Sequence, residues 1–289
     1  MKYRALAGIY ILLAQLPAAL AQNLSPGVAQ TTATINAINQ GQYDPFKVHG
    51  LSAFSSSQKT LIRQWITHGV NATRDTLGVY PQTLTFFVYG KKANQPVPWA
   101  HTRRGTTESI HLYIDKRFPV DKFINDWTLY HEISHLALPF LGKHYSWLSE
   151  GFASFMQYQI MDKANVLPGS LQLRYQDKIA PHLKWFTSDL PSADIARRLM
   201  QQNNYPAAYW GGAWFFVLAD RQLTTKHDIS LASLIAQYQL CCRSSDVSAA
   251  QLMASLDDLI HEPLFSQLLY NFEHQAARDI YPQEFIDIE

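Results

Sequence analysis

Two histidines four residues apart, with a glutamate beside the first, stand at His131, Glu132 and His135, and a second glutamate, Glu150, follows fifteen residues after His135. An α-helix turns about 100° per residue, so positions four apart lie almost above each other on one face. Both imidazoles can then point at one ion, and Glu132 can reach a water on it. Zinc in hydrolases commonly takes two His and one Glu and keeps a fourth position open for water. Glu150 is the natural third protein ligand. That donor set predicts a mononuclear zinc site with a general base at Glu132.

The elements that must position these side chains follow from the flanking sequence. Asp121, just after Pro119, is the expected N-cap of a helix running through DKFINDWTLYHEISHLAL, with Phe123, Trp127 and Tyr130 as its core stripe. Pro139 and Gly142 end it, and a loop through Lys143 to Ser149 turns the chain back. WLSEGFASFMQYQI then starts a second helix that presents Glu150 near its N-terminus. The plain alternatives are an exposed helix with two solvated histidines, and a first-turn glutamate complementing a helix dipole.

HEISH followed by WLSEGFA resembles the gluzincin zinc metallopeptidases, the superfamily of the aminopeptidase N-like and glycyl-aminopeptidase-like enzymes, and most of all the compact peptidase MA-like domains. The resemblance implies an α+β, zincin-like catalytic domain that binds one Zn²⁺ per chain through His131, His135 and Glu150 and hydrolyses peptide bonds with Glu132 as base. The 14 residues between His135 and Glu150 are fewer than in aminopeptidase N-like enzymes, which leaves less wall around the cleft. Those families also use a tyrosine to stabilise the oxyanion, within a Y-x-K-G-A pattern. Here Tyr209-Trp210-Gly211-Gly212-Ala213 lies 59 residues after Glu150, with Gly211 where lysine is usual. Tyr209 is the implied donor and Tyr205 its competitor. The amine-gripping G-x-M-E-N of aminopeptidase N-like enzymes is missing, and Gly105-Thr106-Thr107-Glu108 is a weak substitute, so endo- and aminopeptidase action both stay open. A different class of reading is a catalytically inert, zinc-containing envelope binding or scaffold protein. The intact Glu132 argues against it, because a structural zinc needs no base.

Lys2 and Arg4, an apolar run from Ala5 to Leu16 and Ala19-Leu20-Ala21 read as a signal peptide over residues 1–21. Export to a periplasm or out of the cell is therefore expected, without stable membrane insertion after cleavage. A formal net charge of +1 speaks against nucleic acid as a partner and leaves a peptide or protein substrate. Adjacent Cys241 and Cys242 are read as two thiols near a helix end, with a vicinal disulfide as the alternative.

The domain reading places an N-terminal lead-in, poorly ordered or helical, at 22–57. An upper α+β subdomain with both ligand helices covers 58–159, and a helical lower subdomain covers 160–289. Within the upper part, SQKTLIRQWITHGVNATRDTLG reads as an amphipathic helix, and Thr83–Gly90 and a segment from Ser109 as strands. Residues 91–108 read as a loop or hairpin. By the resemblance, the strand from Ser109 is the sheet edge along the cleft, and roughly Trp99–Tyr113 borders it. His111 is expected to be an exposed strand histidine, Asp126 a surface residue and His144 a bystander in the interligand loop.

Overall fold

The computed structural model describes residues 46–80, 82–104, 108–244 and 247–282. The export signal expected at 1–21 and the lead-in up to residue 45 lie outside the described residues. The fold is α+β: a four-stranded sheet carried on helices, followed by a run of helices.

The sheet orders its strands β1-β2-β4-β3, with β1 (Phe46–His49), β2 (Leu84–Gly90) and β4 (Ser109–Ile114) parallel and β3 (Trp99–Arg103) antiparallel at the edge. Alternation decides its two faces. Leu84, Phe86 and Val88 of β2 and Ile110, Leu112 and Ile114 of β4 are buried on one side. The same core takes in α1 (Ser56–Leu77), which starts at a capping box between Ser55 and Gln58 and buries Ile62, Trp65, Ile66 and Val70.

Several expectations need correction. Within the described end of the 22–57 lead-in, expected to be poorly ordered or helical, Phe46–His49 is a strand paired with β2 in register Phe46↔Leu84 to His49↔Phe87, followed by a 3-10 turn at Leu51–Ala53 and the first residues of α1. The cleft edge is β3, and the strand from Ser109 lies inside the sheet, hydrogen-bonded on both sides. His111 is accordingly buried at 7% exposure. On the outer face its ring stacks between Phe87 and His101 at 4.8 Å on each side, continuing a row that starts with His49 on Phe87, and burial holds its imidazole below the ordinary range.

The single helix expected through DKFINDWTLYHEISHLAL is also not continuous. A short α2 (Val120–Ile124) begins at Pro119, with Asp121 exposed in its first turn and not at the cap. The chain breaks at Asn125–Trp127 before α3 (Thr128–His135). The break turns Trp127 out to 46% exposure while Phe123 and Tyr130 stay in the core. Asp126 is half-buried at this joint, one residue before the Trp127 N-cap, where its carboxylate accepts from the Thr128 N–H at 2.9 Å.

The helix of Glu150, α4 (Ser146–Lys163), lies against α7 (Tyr205–His227) after α5 (Leu171–Ile179) and α6 (Ser192–Gln201). Glycine makes this approach possible: a Cβ on Gly212 would stand 2.3 Å from the Trp147 carbonyl oxygen, and one on Gly151 2.3 Å from the Gly212 carbonyl carbon. Neighbouring Gly211 leaves room for the Phe186 ring. The glycine pair in YWGGA is thus a packing requirement that seats the start of α7 beside the start of α4. Gly212→Ala is expected to cost about 1–3 kcal/mol, because backbone cannot move aside as a side chain would. Urea unfolding measures this, and an unchanged midpoint would mean the helices separate freely.

The last helices, α8 (Leu231–Cys241), α9 (Ala249–Ile260), α10 (Leu264–His274) and α11 (Ala277–Ile280), complete the lower half. Cys241 and Cys242 are joined as a vicinal disulfide, where thiols were expected. Helical neighbours diverge by about 100°, but Cys242 leaves helical geometry at φ −134°, which lets the two sulfurs meet. No helix among the described residues is long and apolar enough to cross a membrane.

Candidate metal centre

His131 and His135 lie one turn apart on α3, their rings 4.8 Å apart and perpendicular. Glu150 enters from the start of α4. Its Oε2 stands 3.2 Å from His131 Nε2 and 3.5 Å from His135 Nε2. One ligand atom from each of the three lies within 4.8 Å of the others, a group that could hold a metal ion. Zinc bonds of about 2.0–2.1 Å at tetrahedral angles set ligand atoms about 3.3 Å apart, so the donor set fits in type and spacing.

Each member is held by neighbours. His131 Nδ1 is 3.0 Å from Gln157 Oε1, which fixes the tautomer that leaves Nε2 free to ligate. Gln157 was not singled out from the sequence; it lies two turns beyond Glu150 on the same face of α4, and that spacing was the available signal. Burial disfavours charge on Glu150, yet the two imidazoles outweigh it and hold the carboxyl well below its ordinary range. His131 is raised in turn: burial opposes its charge, and the hydrogen bond and charge of Glu150 prevail. The joint from Asn125 to Trp127 contributes too, setting the half-exposed Trp127 edge-on to His131 at 5.4 Å.

Glu132, buried at 7% exposure, faces the same cleft without joining the ligand set. The Thr102 hydroxyl, on edge strand β3, lies 2.9 Å from its Oε2 and 3.0 Å from its backbone carbonyl oxygen. That hydrogen bond ties the strand along the cleft to the carboxylate.

The cleft has a volume of about 430 Å³ and is lined by β3, α3, the first turn of α4 and Tyr209. Three of its walls are exposed aromatics: Trp99 at 51%, Trp127 and Phe140 at 54%. Tyr209 stacks near His131 at 6.3 Å, and burial together with the Glu150 and Glu132 carboxylates raises its hydroxyl far above the ordinary tyrosine range, so it stays a neutral donor. Tyr205 is exposed and donates to Asn203 Oδ1 at 2.7 Å, away from the cleft lining. His144 sits outside that lining and bonds Arg197 at 2.9 Å. Glu108 is engaged by Arg104, Gln82 and Arg243, so it is committed to the scaffold and not presented to a substrate amine.

No family model matches the chain, and no curated protein matches it. Among solved structures, it is similar to an M1 zinc metallopeptidase from Deinococcus radiodurans at 16% identity and TM-score 0.49, over 83% of this chain and 49% of that one. The E323A mutant of an M1 zinc metallopeptidase from Deinococcus radiodurans bound to a Tyr-ser-ala substrate is similar at 16% identity and TM-score 0.47, over 80% and 48%. The chain spans about half the length of these solved chains.

Proposed function

We propose that this chain is an exported, zinc-dependent peptidase. The observation that carries the reading is the convergence of His131, His135 and Glu150 beside a buried Glu132 that stays outside the ligand set. These three would hold a zinc ion, which would supply Lewis acidity to a bound water and to the scissile carbonyl. Glu132 takes the proton of the attacking water and hands it to the leaving amine, with Thr102 keeping its carboxylate aimed. Tyr209 donates to the oxygen on which negative charge develops. The outer edge of β3, unpaired in the sheet among the described residues, offers backbone groups to an extended peptide, and Trp99, Trp127 and Phe140 favour bulky apolar side chains around the bond that is cut.

Tyr209→Phe is expected to lower kcat by about 10²–10³-fold with zinc content unchanged, as loss of one oxyanion donor does. Equal turnover in the variant would reassign that tyrosine to packing. The reading itself is tested by metal analysis of protein purified without chelators, followed by cleavage of an unbiased peptide library with a chelator control. Zinc-dependent cleavage next to apolar residues is the expected result. Loaded protein that cuts nothing would point to an inert binding protein, and protein that takes up no zinc would remove the site altogether.

A further inference from the structure

The C-terminal end of α3 carries the ligand His135, and the last carbonyls of a helix have no partners within it. Here the Leu136 and Ala137 N–H groups fold back on Ile133 and Ser134, tightening the final turn. The His135 and Leu138 carbonyls instead accept from one guanidinium, that of Arg104, directly after edge strand β3. Its side chain is 15% exposed and also lines the cleft. Glu108 pairs with the same guanidinium, and Glu108 is itself held by Gln82 at 3.0 Å and Arg243 at 3.3 Å. A cation at a helix C-terminus is favourable electrostatically, and a planar fork fixes direction as a point charge cannot.

We propose that Arg104 is a positioning residue for the metal centre: by clamping the His135 and Leu138 carbonyls to the end of β3, it presets the His135 imidazole for zinc. The inference rests on the zinc reading above. It reaches beyond the ligand set to a side chain that is not itself one of the three donors. Loss of an outer partner of a ligand typically costs about 10–100-fold in metal affinity.

The test compares zinc affinity, by competition with a chromophoric chelator, in wild type, Arg104→Met and Arg104→Lys, alongside the melting temperature of each metal-free protein. Arg104→Met keeps the apolar stem and removes every donor; it is expected to bind zinc about 10–100-fold more weakly. Arg104→Lys keeps the charge without the fork and is expected to fall between. Should the methionine variant fail to fold, the lysine variant decides, since wild-type affinity there would overturn the proposal. Lower melting temperatures with wild-type zinc affinity in both variants would overturn it as well, leaving Arg104 a merely structural clamp. Wild-type protein that takes up no zinc would sink the peptidase reading and this inference together; zinc-binding wild type with unaffected variants sinks the inference alone.

Discussion

Glu132→Gln is expected to bind zinc as wild type does and to lose peptide hydrolysis by roughly 10²–10⁴-fold, the range that a positioned general base contributes. The amide has the shape of the carboxylate and still accepts from the Thr102 hydroxyl, now 2.9 Å from Oε2. What it cannot do is take a proton from water. Because Glu132 lies outside the group formed by His131, His135 and Glu150, the metal complement should be untouched. The amide keeps the Thr102 hydrogen bond and the side-chain volume, so the melting temperature should stay close to that of wild type. The measurement is kcat on a peptide found by library cleavage, with zinc quantified on the same sample. Retained turnover would strip Glu132 of the base role. Lost zinc would show instead that this side chain supports the ligands.

The part of the site fixed by helical period was open to the sequence. Four residues of spacing put His131 and His135 on one face whatever the rest of the chain does, and turn signals at Pro139 and Gly142 bring the next helix back with Glu150 near its start. What depends on long-range pairing was not open. Trp99–Arg103 is five residues long and follows two prolines, so local composition suggests a loop; only its pairing with Ser109–Ile114 makes it the edge strand. The same pairing buries His111, since alternation names a face without saying whether stacked rings will cover it. The helix joint at Asn125–Trp127 escaped because no proline or glycine marks it; the polar pair Asn125-Asp126, whose carboxylate accepts from the Thr128 N–H, was its local clue. Arg104 and Gln157 act through partners 31 and 26 residues away in the chain, a separation that no local pattern encodes.

The departure of Gly211 from the lysine of related patterns has a physical explanation in the same terms. At that position α7 meets the Phe186 ring, and at Gly212 it meets the backbone of α4. A long side chain at Gly211 would force the ring aside and tilt the first turn of α7, which carries Tyr209 to the cleft. The packing therefore requires small residues at 211 and 212, two and three positions past Tyr209.

Glu150→Gln is expected to cost more zinc affinity than loss of an outer-shell partner, which is about 10–100-fold. Glu150 is the one anionic member of the ligand group, and its Oε2 lies between the two imidazoles at 3.2 and 3.5 Å. An amide oxygen there keeps the shape but gives up the charge that neutralises a divalent cation. The readout can be thermal as well as calorimetric. Zinc at 100 times its Kd adds about 2.7 kcal/mol to the folded state, and a 100-fold weaker site at the same concentration adds about 0.4 kcal/mol. The zinc-induced rise in melting temperature should therefore nearly vanish in the variant, while Trp147 and Leu148, buried beside it on α4, keep the metal-free fold in place. A full zinc-induced rise in the variant would mean that the two histidines hold the ion without this carboxylate, and Glu150 would then have to be read as a dipole partner at the start of its helix.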